Sequence, residues 1–293
     1  MTPLDYDFLR RFLKQRSGLV LSAEKQYLVE SRLLPVARKA GLPGLSALVD
    51  ALKFSEDKAL TNTVVEAMAT NESFFFRDKV PFEHFRTIVM PALLAARRAH
   101  RTIRIWCAAA STGQEPYSIA MCLREMEREL AGWQVEILAT DLCGEVLEKA
   151  RQGLYSQFEV QRGLPIQLLI KHFVQVGEFW QIAPEIRAMI KYRQLNLMSD
   201  FSALGVFDLV FCRNVLIYFD QQTKTDVLNR LARVTAGDGF LVLGAAETVV
   251  GLTDAFRVFA DRHGLYAPNT RPPKPVFRPV KPAPRLVAVN GGR

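Results

Sequence analysis

Two carboxylates stand where a parallel sheet would hold a ligand. Glu115 lies in the stretch WCAAASTGQEPYSIAM, residues 106–121, where an apolar run opens into small residues before a helical pattern begins. Asp141 ends the next strand-like run, WQVEILATD. Small residues after a parallel strand let a ligand approach the backbone, and the helix behind them presents unpaired N–H groups. The pattern predicts a ligand site at the ends of these two strands.

The stretch around Glu115 also restricts the kind of ligand. It contains neither GxGxxG nor GK[ST], and a carboxylate there repels phosphate and suits a cation. An acid at the position of Asp141 accepts hydrogen bonds from ribose hydroxyls in nucleotide-type folds. Asp141 equally fits the N-cap of the following CGEVLEKA helix, and spacing alone leaves both open. A ligand with a ribose, a positive charge and no phosphate is S-adenosylmethionine, the cofactor that we predict.

The sequence offers no constellation for metal or nucleophilic catalysis. It has no Ser/His/Asp arrangement, no CxxC pair and no histidine near a cysteine at ligand spacing, so we expect no bound metal. No segment reaches the roughly 18 apolar residues of a membrane span, and charged residues precede any apolar run at the N-terminus. We therefore expect a cytoplasmic protein without membrane insertion. Four cysteines are predicted to be reduced and buried: Cys107, Cys122, Cys143 and Cys212.

The elements that position these residues alternate between strand and helix. A long helix from about Asp78 to Arg98 is predicted to lead into the first strand. Strand-like runs RTIRIWCAA, WQVEILATD, VFDLVFCRN and DGFLVLGAAET then alternate with helical patterns. This alternation predicts an α/β fold with a mostly parallel sheet and helices on both faces. Residues 172–194 break the alternation with short β-like pieces split by Gly177 and Pro184, which predicts a small antiparallel insertion.

The first 70 residues are predicted to form a helical unit. Apolar residues recur at helical spacing over Tyr6–Gln15 and Lys25–Ala40, and glycines follow both runs. Residues 1–53 hold nine basic and five acidic residues, which makes this the basic end of the chain before the tail. Four basic residues recur near helical spacing in the second helix: Lys25, Arg32, Arg38 and Lys39. They could form a solvated face or a docking surface for an acidic protein, and charge alone leaves both open.

The C-terminal tail accounts for most of the net charge of +8. Residues 268–293 are proline-rich and carry six basic residues and no acidic one, so the preceding residues are nearly neutral. Such a composition predicts a disordered tether, with contact to an acidic partner or a membrane surface as the alternative. The nearly neutral body counts against nucleic-acid binding.

Five motifs in order resemble one known family. TNESFFFRD, WCAAASTGQEPYSIAM, ATDLCGEVLEKARQGLY, NLM and FDLVFCRNVLIYFD are similar to the CheR-type chemotaxis receptor methyltransferases, which are protein-glutamate O-methyltransferases. The resemblance spans roughly Tyr6 to Ala267. It implies a class I S-adenosylmethionine-dependent methyltransferase domain at 71–267 with a Rossmann-like doubly wound sheet, a small all-α domain at 1–70 and an inserted β-subdomain at about 172–194.

The resemblance also implies roles for single residues. Glu115 and Asp141 match the acids that hold the methionine amino group and the ribose. Tyr218 matches a tyrosine close to the transferred methyl group, and Arg77 lies in the segment that matches residues beside the cofactor. These two are the predicted catalytic pair, which would orient the substrate carboxylate. The remaining positions that match cofactor contacts of the family, with Arg77 again among them, are Asn71, Ser73, Arg77, Asn196, Leu197, Arg213 and Asn214. Ser73 stands where the family commonly has threonine, and Gln114 stands where the family often has an acid.

The family's substrate implies the partners. It methylates glutamates on the cytoplasmic helical bundle of chemoreceptors, an acidic surface that a basic helix would attract, so Arg32, Arg38 and Lys39 become predicted docking residues. Some members bind a receptor C-terminal pentapeptide by strand addition at the β-subdomain. The short loop around Gly177 predicts that this chain does not, and we expect a monomer. Two other functions stay open: methylation of RNA or a small molecule, and a cofactor-binding adaptor without activity.

Overall fold

The computed structural model describes residues 1–54, 57–259 and 262–269. Apart from its first two residues, the predicted tail lies outside the described residues. The helices are α1 (Pro3–Ser17), α2 (Gln26–Lys39), α3 (Leu45–Phe54), α4 (Lys58–Met68), α5 (Val80–His84), α6 (Met90–Ala96), α7 (Gln114–Glu125), α8 (Gly144–Gln152), α9 (Gln157–Gln161), α10 (Ile166–His172), α11 (Pro184–Arg187) and α12 (Gln221–Arg233). The strands are β1 (Thr102–Ala108), β2 (Gln134–Asp141), β3 (Leu154–Ser156), β4 (Phe173–Val176), β5 (Phe179–Ile182), β6 (Ile190–Gln194), β7 (Phe207–Cys212), β8 (Thr235–Leu243), β9 (Phe256–Val258) and β10 (Leu265–Pro268).

The main sheet has seven strands in the order β6-β2-β1-β7-β8-β10-β9. The first five run parallel, and β10 and β9 add an antiparallel edge. From β1 the chain passes to one side through β2 and β6 and then returns to the other side at β7. The strand order therefore reverses between β1 and β7, where sheets of this kind bind ligands. Helices pack on both sheet faces, and all residues of β7 are buried, which confirms the predicted α/β fold.

The antiparallel insertion differs in detail from the predicted range 172–194. Its small sheet has the order β3-β5-β4, so β3 joins it from outside that range. Strand β6, at Ile190–Gln194, belongs instead to the main sheet, where it pairs in parallel with β2. The sequence pattern identifies short strands, but it cannot tell which partner a strand of four or five residues will pair with.

The predicted long helix before β1 is interrupted. Helices α5 and α6 are joined by a π turn at Phe85–Val89, and Pro91 is the second residue of α6. Proline lacks the N–H that an α-helical ladder would use, so the wider turn accommodates it without ending the helix. Phe85 and Val89 of the π turn are fully buried against the sheet.

The four cysteines are free and buried, as predicted. Burial raises the pKa of Cys122 to about 12 and that of the Cys107 and Cys212 thiols well above the ordinary value. None of these three is therefore a thiolate nucleophile at neutral pH.

The helical unit has its own apolar core and is joined to the rest of the chain by residues 69–73. Helices α1 to α4 bury an apolar cluster that includes Leu9, Leu33 and Leu48 at zero exposure. Helix α1 begins with a capping box between Thr2 and Asp5 and ends at Gly18, which has a φ of 76°. That left-handed residue stops the helix and turns the chain towards the main sheet.

Candidate active site

A cavity that is open on one side to solvent lies at the carboxyl ends of β1, β2 and β7. The structure brings all ten residues predicted for the cofactor and for catalysis to its wall: Asn71, Ser73, Arg77, Glu115, Asp141, Asn196, Leu197, Arg213, Asn214 and Tyr218. The predicted docking residues Arg32, Arg38 and Lys39 are not among the lining residues.

The turn after β1 is made by backbone geometry that few residues accept. Ala109 and Ser111 have φ values of 66° and 51°, and Gly113 has one of 94°. A Cβ on Gly113 would lie 2.8 Å from the Ala150 Cβ, so this glycine is needed for the close packing of α8. The small residues at 109 and 111 line the cavity, whereas the glycine serves the fold behind it.

Asp141 is 6% exposed at the end of β2. Its Oδ2 accepts the Ser111 N–H at 2.8 Å and its Oδ1 accepts the Cys143 N–H at 3.0 Å. A carboxylate has about four lone-pair positions, so each oxygen keeps room for one ribose hydroxyl. The N-cap residue of α8 is Cys143 rather than Asp141, which sets aside the simple capping explanation. Burial raises the pKa of Asp141, and the backbone N–H donors oppose part of that rise.

Glu115 and Arg213 form the charged centre of the site. Glu115 Oε2 accepts from Arg213 Nη1 at 2.8 Å. The Arg213 side chain is only 1% exposed, and its Nη2 also donates to Asp78 Oδ2 and to the Arg77 carbonyl, both at 2.7 Å. Burial raises the pKa of Glu115, while the Arg213 charge opposes that rise. Glu115 Oε1 has no hydrogen bond within the described part of the chain, which leaves it for a cationic ligand group.

The two predicted catalytic residues lie at the cavity wall with different surroundings. Arg77 Nη1 donates to the Glu72 carbonyl at 2.9 Å, and its guanidinium lies 5.5 Å from the centre of the Phe74 ring. Tyr218 is held by its backbone: its N–H donates to Val215 and its carbonyl accepts the Val20 N–H at 2.9 Å. Among the described residues, the Tyr218 hydroxyl has no hydrogen-bond partner.

The helical unit forms one wall of the cavity, which sequence reasoning missed. Ser17, Leu19 and Val65 line it. The Asn196 side chain, predicted to lie beside an adenine, donates to the Arg16 carbonyl at 2.6 Å and accepts the Met198 N–H at 2.9 Å. Asn196 therefore ties the end of α1 to the loop after β6. Each of Ser17, Leu19 and Val65 is a single position in or next to a helix, and a single position has no spacing pattern that could predict a contact with a distant sheet.

The three predicted docking residues divide into two groups. Arg32 Nη1 donates to the carbonyls of Met68 and Ala69 at 2.8 and 2.9 Å, so this side chain fixes the end of α4 and the start of the linker. Arg38 and Lys39 are exposed in the last turn of α2. The basic stripe is thus shorter than predicted, because one of its members has an internal role.

The sequence patterns did not identify a further buried acid, Glu247. Glu247 follows β8 and is 5% exposed, and its carboxylate accepts backbone N–H groups of the loop after β7. The sequence does contain a signal, because this acid comes four residues after a buried parallel strand, whereas Asp141 is the last residue of one. Glu247 does not line the cavity.

The cavity fits S-adenosylmethionine on the chemistry of its donors and acceptors. Asp141 offers two acceptor oxygens for a ribose diol, and Glu115 offers one free carboxylate oxygen for an ammonium group. Ala109 and Ser111 leave the backbone open for a close approach. Among the described residues no cluster of His, Cys, Asp and Glu side chains could hold a metal ion. The fold and this site define a class I S-adenosylmethionine-dependent methyltransferase.

Comparison with known proteins is consistent with that class and identifies the family within it. Residues 71–265 match the family model described as CheR methyltransferase, SAM binding domain, and residues 4–69 match CheR methyltransferase, all-alpha domain. The chain is similar to chemotaxis protein methyltransferase 1 of Pseudomonas aeruginosa, with 41% identity over 89% of this chain and 96% of the relative. It is also similar to chemotaxis protein methyltransferase Cher2 of Pseudomonas putida, with 40% identity over the same shares. The protein belongs to the CheR methyltransferase family.

Proposed function

We propose that this protein transfers a methyl group from S-adenosylmethionine to the γ-carboxylate of glutamates on the cytoplasmic helical bundle of chemoreceptors. The products are glutamyl methyl esters and S-adenosylhomocysteine. The observation that carries this proposal is one cavity at the reversal of strand order that combines Glu115, Asp141 and a wall from the basic helical unit. The relatives that are named as chemotaxis protein methyltransferases support the choice of substrate.

The reaction makes small demands on acid–base chemistry. When bound, the cofactor supplies an electrophilic methyl group on a sulfonium. The attacking glutamate is already ionised near pH 7, because its reference pKa is about 4.3. Catalysis therefore rests on orientation, which can contribute roughly 7 to 11 kcal/mol, and on removal of water from the carboxylate. No buried histidine or activated cysteine is needed for these tasks.

The cavity residues divide between binding and orientation. In our proposal Asp141 holds the ribose, Glu115 the amino group, and Asn71, Ser73, Leu197 and Asn214 complete the cofactor contacts. Arg77 and Tyr218 orient the substrate carboxylate, and the engagement of Arg77 with Glu72 keeps it from binding that carboxylate too tightly. Arg213 and Asn196 act indirectly, through Glu115 and through the end of α1.

The domain roles follow from this assignment. Residues 1–70 are the receptor-docking helical domain and residues 71–267 the methyltransferase domain. The protein works as a monomer in the cytoplasm. No helix in the described ranges is long and apolar enough to cross a membrane.

Reversing the charge of the exposed basic pair should slow methylation. We expect Arg38→Glu with Lys39→Glu to lower kcat/KM for receptor fragments by about tenfold or more at low salt, mostly through association, because attraction to an acidic bundle is lost. Initial rates over a salt series would measure the effect, which should shrink at high ionic strength.

The matched control reverses two exposed arginines at the opposite end of the sheet from the cavity. Arg98 follows α6 and Arg128 follows α7, both ahead of the strand starts. Arg98→Glu with Arg128→Glu should leave kcat/KM within about twofold, since these charges lie away from the docking face. Equal losses in both double variants would mean that net charge, rather than α2, governs the rate.

We also propose that docking does not use a receptor C-terminal pentapeptide. Strands β4 and β5 are joined by the two residues Gly177 and Glu178, with Val176 paired to Phe179, so the hairpin has no extended loop. Receptor fragments with and without the C-terminal pentapeptide should be methylated at rates that agree within about twofold. A large loss on removal of the pentapeptide would show that the β-subdomain does tether.

The function is tested with candidate receptor cytoplasmic fragments and cofactor that is labelled in its methyl group. We expect label that is released as methanol by base and that maps to glutamates of the helical bundle. Cofactor binding without any base-labile product on any fragment would favour an adaptor. Label transfer to RNA or to a small molecule instead would replace the substrate class.

A further inference from the structure

Glu247 is a buried carboxylate that accepts five backbone N–H groups. Its Oε1 receives those of Val215, Leu216 and Ile217 at 3.0, 2.7 and 3.3 Å. Its Oε2 receives those of Asn214 and Gly244, both at 2.8 Å. Four of the five donors belong to consecutive residues of the loop that follows β7. One side chain thus takes the place of a regular hydrogen-bond ladder for this loop.

Two further features show that the loop is shaped around this carboxylate. Gly244 leaves the space that it needs, since a Cβ there would lie 2.7 Å from Glu247 Oε2 and 2.8 Å from Asn214 Nδ2. Asn214 has a φ of 59°, in the left-handed region that asparagine adopts more readily than most residues with a side chain. The backbone N–H of Asn214 is bound in that conformation by Glu247.

The same loop carries groups that line the cavity. Arg213 precedes it and is fixed to Glu115, Asn214 and Val215 form part of the cavity wall, and Tyr218 follows it. The Tyr218 N–H donates to the Val215 carbonyl, so the position of the ring depends on a residue that Glu247 holds.

We infer that Glu247 is a positioning residue for methyl transfer. It fixes the loop of residues 214–217 from behind and so sets where Tyr218 stands relative to the reacting carboxylate. This inference rests on the proposed function for the identity of the reaction. The loop contacts themselves are independent of the substrate.

The charge of the carboxylate matters as well as its shape. Oε1 accepts three N–H groups and Oε2 accepts two. In an isosteric glutamine, one of these oxygens becomes an NH₂ group, which would face those N–H donors and could not accept from them. Glu247→Gln would therefore lose hydrogen bonds and leave backbone N–H groups facing another donor. Glu247→Asp keeps both acceptors but withdraws them by one methylene.

The test compares these two variants in receptor methylation. We expect Glu247→Gln to lower kcat by about tenfold or more, while KM for the receptor fragment changes by less than about threefold. A displaced Tyr218 would orient the reacting carboxylate poorly, which slows the chemical step more than it weakens receptor binding. Glu247→Asp should recover part of kcat. Amide hydrogen exchange should speed up at residues 214–217 in Glu247→Gln.

Asp208 offers a matched control, because it lies near the start of β7, the strand that leads into the loop of residues 214–217. It is a buried carboxylate near the start of β7, where it accepts the Arg104 N–H at 2.8 Å and pairs with Arg97. Asp208→Asn removes a buried charge at the far end of the strand and should lower thermal stability with kcat within about twofold of wild type. Exchange at residues 214–217 should stay slow in this variant.

Three outcomes would overturn the inference. One is a Glu247→Gln variant with wild-type kcat, another is a kcat loss equal to that of Asp208→Asn, and the third is unchanged exchange at residues 214–217. Failure of the proposed function looks different, because the wild-type protein itself would then form no methyl ester. In that case the exchange experiment alone still decides whether Glu247 holds the loop.

Discussion

Replacing Arg213 by methionine should lower the free energy of unfolding by about 3–5 kcal/mol, the range seen when one partner of a buried ion pair is removed. The Arg213 side chain is 1% exposed and bonds Glu115, Asp78 and the Arg77 carbonyl. Its loss leaves the Glu115 carboxylate without its hydrogen-bonded cationic partner in a place where burial already raises the pKa of that group. Urea unfolding of wild type and variant would measure the change.

A surface arginine and a double variant sharpen this prediction. Arg124, on the same helix as Glu115, makes a 3.4 Å contact with exposed Glu127, so Arg124→Met should cost about 0.5 kcal/mol or less. Adding Glu115→Gln to Arg213→Met should restore part of the lost stability, since the unpaired charge disappears. Strictly additive losses would contradict a coupled pair.

Replacing Asp141 by asparagine should weaken binding of S-adenosylmethionine by about 1–3 kcal/mol, as expected for a lost charged acceptor. The effect should depend on pH. Burial raises the Asp141 pKa above its ordinary value of 3.8 in the free protein, whereas hydroxyl donors favour the ionised form. Wild-type affinity should therefore be full above the raised pKa and fall as the pH drops through it.

Titration of wild type and Asp141→Asn over a pH series would check both parts. The variant should lose less affinity on acidification, with a remainder from Glu115, whose pKa burial also raises. Glu145→Gln, a change of an exposed acid in the first turn of α8, is the control and should bind as wild type does. Unchanged affinity in Asp141→Asn would return that residue to a purely structural role.

The sequence was sufficient for the fold because the sheet has a strong local signal. Strands β1, β2, β7 and β8 are apolar runs followed by turns or helices. Asp141 ends β2 and Glu115 begins the helix after β1, so the parallel pairing of β1 with β2 brings them to the same edge of the sheet. The small insertion was less predictable. Its strands have three or four residues, and strand pairing between such short segments is decided by tertiary packing.

The part of the site that the sequence could not predict is its hydrogen bonding. Arg32 was predicted to face a receptor, but its side chain bonds the Met68 carbonyl. Asn196 does line the cavity, and its side chain also donates to the Arg16 carbonyl, a contact that no sequence pattern indicated. No role was predicted for Glu247, although it accepts five N–H groups. The type and spacing of residues predict which of them lie near the cavity. The hydrogen-bond partner of each polar side chain depends on the loops of the folded protein, which spacing does not predict.

Calorimetric titration of the purified protein with S-adenosylhomocysteine, the demethylated product, would show whether the cavity is a cofactor site. We expect saturable binding of one molecule per chain, which is weakened in Asp141→Asn and preserved in Glu145→Gln. Absence of binding by the folded wild-type protein would contradict the assignment of the cavity, and with it the proposed reaction.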